Sequence, residues 1–313
     1  MVKRRHYFIV GGILLVGLIF GSFFDLQISA AISDSKNGFG VFLGAFGMVP
    51  GLSFVAFLSG VLFYHARKNI SKTWLKVLLI IASILGIGAA SYFGGSDVFS
   101  VNGFNYQFAS KPVVIMVSVL IGLVFASGFF VLGNWLGRNF KSKKTWIVCL
   151  ILLIAFALTL LGANETVKNI FHRPRFRYAI KIHGDDIPFH NWWEPCSNYS
   201  SYLEQFSDLT KEEFKSFPSG HTGVSMYVAF FLSFLSLCVP KLKKHSLLLF
   251  YSGFAFALLI GFSRILVAAH FLSDVCFGGL IALIFMFTSN EFIRGFKLLE
   301  EKPKEVCEPE RSI

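Results

Sequence analysis

Eight long apolar runs dominate this sequence and limit what it can fold into. A helix needs about 20 apolar residues to cross the hydrocarbon core of a bilayer. Runs of that kind lie at roughly residues 7–24, 46–65, 75–93, 112–134, 145–163, 221–239, 246–263 and 272–292. The start of the second, in the glycine-rich stretch Gly40 to Gly51, is the least sharply marked. Backbone polar groups surrounded by lipid must be satisfied within their own segment, and for runs of this length that means a helix. The predicted fold class is therefore all-α, a polytopic membrane helix bundle of about eight transmembrane helices. Composition points the same way. Charged residues are 15% of the chain, against about 25% in soluble domains, which excludes disordered and small disulfide-rich classes. Cys149, Cys196, Cys238, Cys276 and Cys307 are scattered without CxxC spacing, so neither a disulfide framework nor a zinc site is expected.

A net charge of +11 would suggest nucleic acid on a soluble domain. Here no nucleic-acid partner is expected, because the basic residues sit between apolar runs, where they set topology. With eight spans both termini share one side, and that side carries 19 of the 29 lysines and arginines. The expected orientation has both termini cytoplasmic, in a multi-pass protein of the cell membrane such as a bacterial plasma membrane. Lys3, Arg4 and Arg5 precede the first run, as they would in a signal peptide with Ala30 and Ala31 near the cleavage point. The run is long for that role, and an uncleaved helix is expected. Residues 1–297 then form one integral membrane domain, with an extracytoplasmic loop over 164–217 and a polar cytoplasmic tail over 298–313, expected to be disordered. Trp192 and Trp193 suit the headgroup level.

Ten basic residues fall on the extracytoplasmic side, and eight of them lie in the 164–217 loop or beside the seventh run. They belong to clusters of polar residues. The first runs from Lys168 through Arg173, Pro174, Arg175 and Arg177. Lys168 and Arg175, seven apart, would share a helical face, although Pro174 argues against one continuous helix. A basic collar for lipid headgroups is the plain alternative. The second cluster is Ser216 to Thr222. Pro218 and Ser219 suit a helix start, so that the N–H groups of Ser219 and Gly220 would face an anion and His221 would exchange protons beside it. An ordinary helix cap is the plain alternative. The third joins Ser263-Arg264 to His270 and Asp274, which are four apart on one helical face. Asp274 would accept the Nδ1–H of His270 and leave Nε2 as a nucleophile, or the pair would simply fasten two helices. Three cations, two histidines, a carboxylate and a backbone anion site together suit a phosphate dianion.

These residues resemble the type 2 phosphatidic acid phosphatase superfamily, which includes membrane lipid phosphatases, glucose-6-phosphatases and vanadium haloperoxidases. Its pattern is Lys, six residues, Arg-Pro; then Pro-Ser-Gly-His; then Ser-Arg, five residues, His, three residues, Asp. The chain carries Lys168 with Arg175, Pro218 to His221, and Ser263-Arg264 with His270 and Asp274. It departs at Phe176, where the pattern has proline; the Arg173-Pro174 pair lies two residues early, so Arg173 is the weaker phosphate candidate. The resemblance implies a six-helix phosphatase core over about 75–297, to which the first two spans are added. It implies that His270 attacks phosphorus to form a phosphohistidine, that Asp274 orients it, and that His221 protonates the leaving oxygen. Lys168, Arg175, Ser219, Gly220 and Arg264 would bind the phosphate, with no cofactor and no metal. Asp185, Asp186 and Glu194 are too dispersed for a two-metal site, and His172, His183 and His190 match no motif position. The expected activity is metal-independent hydrolysis of a membrane lipid phosphate monoester or diphosphate: a polyprenyl diphosphate, phosphatidic acid, phosphatidylglycerol phosphate or lipid A. A soluble sugar phosphate, phosphotransfer to another lipid, and a non-enzymatic transporter or lipid-binding protein are the alternatives. Two glycosylation sequons stand at Asn164 and Asn198. The oligomeric state is not legible.

Overall fold

A computed structural model of the chain describes residues 2–96, 98–100 and 111–300. Among the described residues it is helical, with no strand. The helices are α1 (Arg4–Ile32), α2 (Gly38–Phe46), α3 (Val49–Asn69), α4 (Thr73–Ser96), α5 (Lys111–Leu136), α6 (Thr145–Ala157), α7 (Glu165–Phe171), the single turn α8 (Lys181–His183), α9 (Tyr199–Gln205), α10 (Gly220–Cys238), α11 (Ser246–Leu266) and α12 (Leu272–Gly295). Among the described residues, eight segments are long and apolar enough to cross a membrane, matching the eight runs. The glycine-rich second run resolves into two helices, with Pro50 in the first turn of α3. A π-helical stretch, Leu158–Asn164, joins α6 to α7 and makes them one span. The bundle turns large apolar side chains outward, Phe23, Val16 and Val124 among them. A soluble protein does not carry such a continuous apolar surface; a lipid-facing one does.

Helix α1 pairs along its length with α12, and the two run antiparallel. Arg4 meets Glu291 at 2.5 Å, Tyr7 packs on Phe287, and Leu14 lies against Gly279. Near the far end, Asp25 reaches Ser273. The centre is shared by α10, whose span is 83% buried, and α3, which packs against α4, α5, α6 and α10. The span of α3 is 72% buried, compared with 22% for the span built on α5. Phe54 and Phe57 of α3 meet Phe231 and Phe234 of α10 in this core. By contrast, the large contacts of α4 and α5 are with α3 and with each other. The first two spans, read from the sequence as additions, thus lie against the α10–α12 helices, and the α4–α5 hairpin lies outside them. Of the expected polar tail, Leu298 is buried and its carbonyl accepts the Ser142 hydroxyl at 2.6 Å. Residues 301–313 lie outside the described residues.

Apolar side chains gain little by leaving lipid for a helix interface, so close backbone approach carries the packing here. A Cβ added at Gly133 would stand 2.0 Å from the Phe57 carbonyl, and one at Gly60 equally close to that of Phe130. Gly133→Val is therefore expected to cost about 1–3 kcal/mol by overpacking and to lower the melting temperature in detergent. Gly128→Val, where an added Cβ meets nothing within 4 Å, should leave it unchanged.

Candidate active site

The three sequence clusters meet at one end of the bundle, and local backbone features explain how. The first helix to end there is α7, at His172, which takes the left-handed conformation with φ 45°. The chain reverses, and residues 173–177 return along 213–216. Arg175 N–H donates to the Glu213 carbonyl at 2.7 Å and Ser216 N–H to that of Arg173 at 3.0 Å. The Arg177 guanidinium closes the link on the Glu213 carboxylate at 3.1 and 3.2 Å. Helix α11 ends in a Schellman turn: Ala269 N–H reaches the Arg264 carbonyl, Ala268 N–H that of Ile265, and Ala268 sits at φ 56° in the position that favours glycine. That turn delivers His270 to the site, and Arg177 N–H ties it to the first cluster through the Ala268 carbonyl at 3.0 Å.

His270 is buried, with its Nδ1 2.5 Å from the Ser216 carbonyl and 3.8 Å from Asp274 Oδ2. The expected direct hydrogen bond to Asp274 is thus replaced by one to a backbone carbonyl, and the carboxylate acts one step behind. Asp274 Oδ2 accepts the Ser216 hydroxyl at 2.5 Å and Phe271 N–H at 2.8 Å. Either acceptor selects the same tautomer, with the proton on Nδ1 and the lone pair on Nε2. Burial drives the His270 imidazole well below its ordinary pKa; Asp274 opposes this, while Arg175 and Arg264 add to it. The ring is therefore neutral at neutral pH.

Cations line the surroundings. The Lys168 ammonium stands where a Cβ on Gly220 would be 3.4 Å away. It pairs at 2.7 Å with Glu165, a residue the motifs did not single out. Arg264 is fully buried in the last turn of α11. Burial, reinforced by Arg177, lowers Arg175 to about 10, which leaves it cationic. Ser219 departs from expectation. Its N–H donates to the Asp274 carbonyl at 3.0 Å, and its hydroxyl caps α10 by accepting Thr222 N–H. Its amide is therefore already used, whereas Gly220 follows it at the first helical position. A Cβ on Gly278 would stand 2.3 Å from the Ser219 carbonyl, so α12 touches this helix start directly. His221 sits beside Arg264, with Nε2 3.0 Å from the Gly44 carbonyl on α2.

Arg173 is corrected most clearly, because its three nitrogens are all already engaged. Nε donates to the His190 carbonyl at 2.8 Å, Nη1 to Asp274 and to the Ser273 hydroxyl, and Nη2 to Asp25 at 2.9 Å. Its plane lies over Phe271, 4.3 Å from the ring centre. Arg173 orients the carboxylate behind His270 instead of facing a phosphate. Asp25, Ser216 and Ser273 are the site residues that the motifs missed. Asp25 still had a signal, as a lone acid inside an apolar span. The loop's Trp192 donates from Nε1 to Ser22 on α1 at 2.9 Å and packs on Phe277 of α12. Asn164 is buried in the bundle, which removes it as a glycosylation acceptor, whereas Asn198 is exposed. Among the described residues no three His, Cys, Asp or Glu side chains gather into a metal-holding group.

Residues 144–295, just under half of the chain, match the profile of the PAP2 superfamily. That segment is similar to the superfamily. It contains all three clusters and helices α6 to α12. Phosphatidylglycerophosphatase B of Bacillus subtilis (strain 168) is 31% identical over 98 residues, which are 31% of this chain and 48% of that protein. The match thus spans about half of that relative's length. No solved structure matches the chain.

The Arg177–Glu213 pair is buried on both sides. Removing one partner of a buried pair costs about 3–5 kcal/mol. Glu213→Ala should therefore loosen residues 173–177, read as faster trypsin cleavage after Arg175 or Arg177 than in the unaltered protein.

Proposed function

We propose that the chain is a phosphatase of membrane lipid phosphates or diphosphates, working through a phosphohistidine on His270 at the extracytoplasmic face. The observation that carries this reading is His270 itself: Nδ1 is bound to the Ser216 carbonyl with Asp274 behind it, Nε2 is left as the nucleophile, and three cations surround the site. Nε2 attacks phosphorus in line, and the phosphorus–oxygen bond to the leaving group breaks. His221 protonates the departing oxygen. With its Nε2–H held by Gly44, His221 gives this proton from Nδ1 and therefore enters the step as an imidazolium, which the deprotonation of water later restores. Water, deprotonated by the same ring, then displaces His270 and releases inorganic phosphate. Lys168, Arg175 and Arg264 stabilise the equatorial oxygens, helped by Gly220 N–H, and this charge stabilisation is the main catalytic requirement of phosphoryl transfer.

Two observations support a lipid substrate. The site lies at the end of an apolar bundle, where a tail remains in the bilayer while its phosphate reaches the cations. The similar Bacillus protein is, by name, a phosphatidylglycerophosphatase. Phosphatidylglycerol phosphate, phosphatidic acid and polyprenyl diphosphates are the substrates proposed. The extracytoplasmic orientation is supported by the 19 basic residues assigned to the opposite side.

The test is phosphate release from a panel of these lipids and from glucose 6-phosphate. Wild-type protein should favour the lipids and keep its activity in EDTA. His270→Ala should lose about 1,000-fold or more, as removal of a covalent nucleophile does, and His221→Ala should be severely impaired. A preference for glucose 6-phosphate would move the assignment to a soluble-ester phosphatase, and wild-type rates in His270→Ala would end it.

The pH dependence has a definite sign. His270 attacks in its unprotonated form, and its depressed pKa keeps it unprotonated well below the ordinary imidazole value of about 6.5. Between about pH 7 and pH 5, kcat/KM should not fall through protonation of the nucleophile. A single ionisation near 6.5 that switches off kcat/KM and disappears in His270 variants with residual activity would contradict this.

A further inference from the structure

We infer that Asp25, on α1, is a positioning residue for the nucleophile: through Arg173 and Ser273 it holds the Asp274 carboxylate, and thereby the imidazole of His270. The inference rests on the phosphatase reading above. It arises from a helix outside the segment that matches the superfamily.

The geometry forms a closed circuit. Asp25 Oδ1 accepts Ser273 N–H at 2.9 Å. Its Oδ2 accepts the Ser273 hydroxyl and Arg173 Nη2, the latter at 2.9 Å. Arg173 Nη1 then donates to Asp274 and to Ser273 Oγ. The guanidinium fork thus gives one nitrogen to each carboxylate, a two-sided grip that arginine's planar donors allow and lysine's do not. All four side chains are buried, none more than 2% exposed. Asp274 keeps its other oxygen for Ser216 and Phe271 N–H, so both ends of the carboxylate are fixed.

Fastening α1 does not require a charge at this place. The helix is already held to α12 by Arg4 and Glu291 at the other end and by close apolar packing between. A carboxylate inside an apolar span is costly, and such groups usually pair and serve a function. The charge count suggests which function. Arg173 with Asp274 alone would be a neutral pair, giving His270 little negative potential. Asp25 takes half of the guanidinium, so Arg173 neutralises Asp274 less completely and leaves negative charge on Asp274 behind the imidazole. That charge favours the cationic ring formed when Nε2 bonds to phosphorus.

The test compares Asp25→Asn, which keeps shape and removes charge, with Asp25→Glu and wild type in the phosphate-release assay. Asp25→Asn should lower kcat by about tenfold or more with KM within about twofold, the pattern of a misplaced reacting group, and Asp25→Glu should recover part of the loss. A monodisperse Asp25→Asn protein with wild-type kcat overturns the inference. If that variant does not fold, Ser273→Ala, which removes the bridging hydroxyl, carries the same expectation and the same refutation. If wild type releases phosphate from no substrate, the phosphatase reading fails by itself. Positioning is then decided by the rate at which diethyl pyrocarbonate acylates His270 relative to exposed His245. A fall of about fivefold or more in Asp25→Asn supports the inference, and an unchanged ratio overturns it.

Discussion

A guanidinium buried between two carboxylates is the contact on which this end of the bundle depends. Neither sign of charge is tolerable alone in so dry a setting; together they are stable only when geometry and hydrogen bonds are well matched. Arg173 meets that condition through Asp25, Asp274, Ser273 and the His190 carbonyl. The demand spreads outward. To reach Asp25, the chain must reverse after α7, and the left-handed His172 makes the reversal. To reach His270, Asp274 must lie in the first turn of α12, just after the Schellman turn at Ala268. The positions of three helix ends therefore follow from the pairing of a few charges.

Much of the architecture was legible in the sequence because it depends on local pattern. Each span is a contiguous apolar run, and composition alone identifies it. The three polar clusters were legible for a related reason, since the spacing of His270 and Asp274, or of Ser219 and His221, expresses helix geometry. Contacts between elements distant in sequence left no such trace. Asp25 and Ser273 are 248 positions apart, and Gly44 and His221 are 177 apart. Ser216 was visible as a motif neighbour, but a backbone carbonyl gives no sign that it will receive an imidazole proton. The same limit explains the misreading of Ser219: its suitability as a cap was plain, whereas the diversion of its N–H to Asp274 depends on how α12 packs.

Membrane packing also explains the position of the early helices. The family resemblance implied that the first two spans are additions to a six-helix core. Their contacts argue for a different division of labour, in which α3 packs against α10 and α1 braces α12, while α4 and α5 rest on α3 through glycine contacts. Helices joined by bare backbone contact need no special polar chemistry, which is why this hairpin carries few charged residues.

His221 takes its carbonyl partner from Gly44, and Trp192 fastens the 164–217 loop to Ser22; both partners lie outside the span 144–295. A protein engineer who expressed that stretch in isolation would obtain every motif residue and still lack part of the scaffold around them. Restoring it would require the leading helices to be supplied as a separate fragment that reassembles with the rest inside the bilayer.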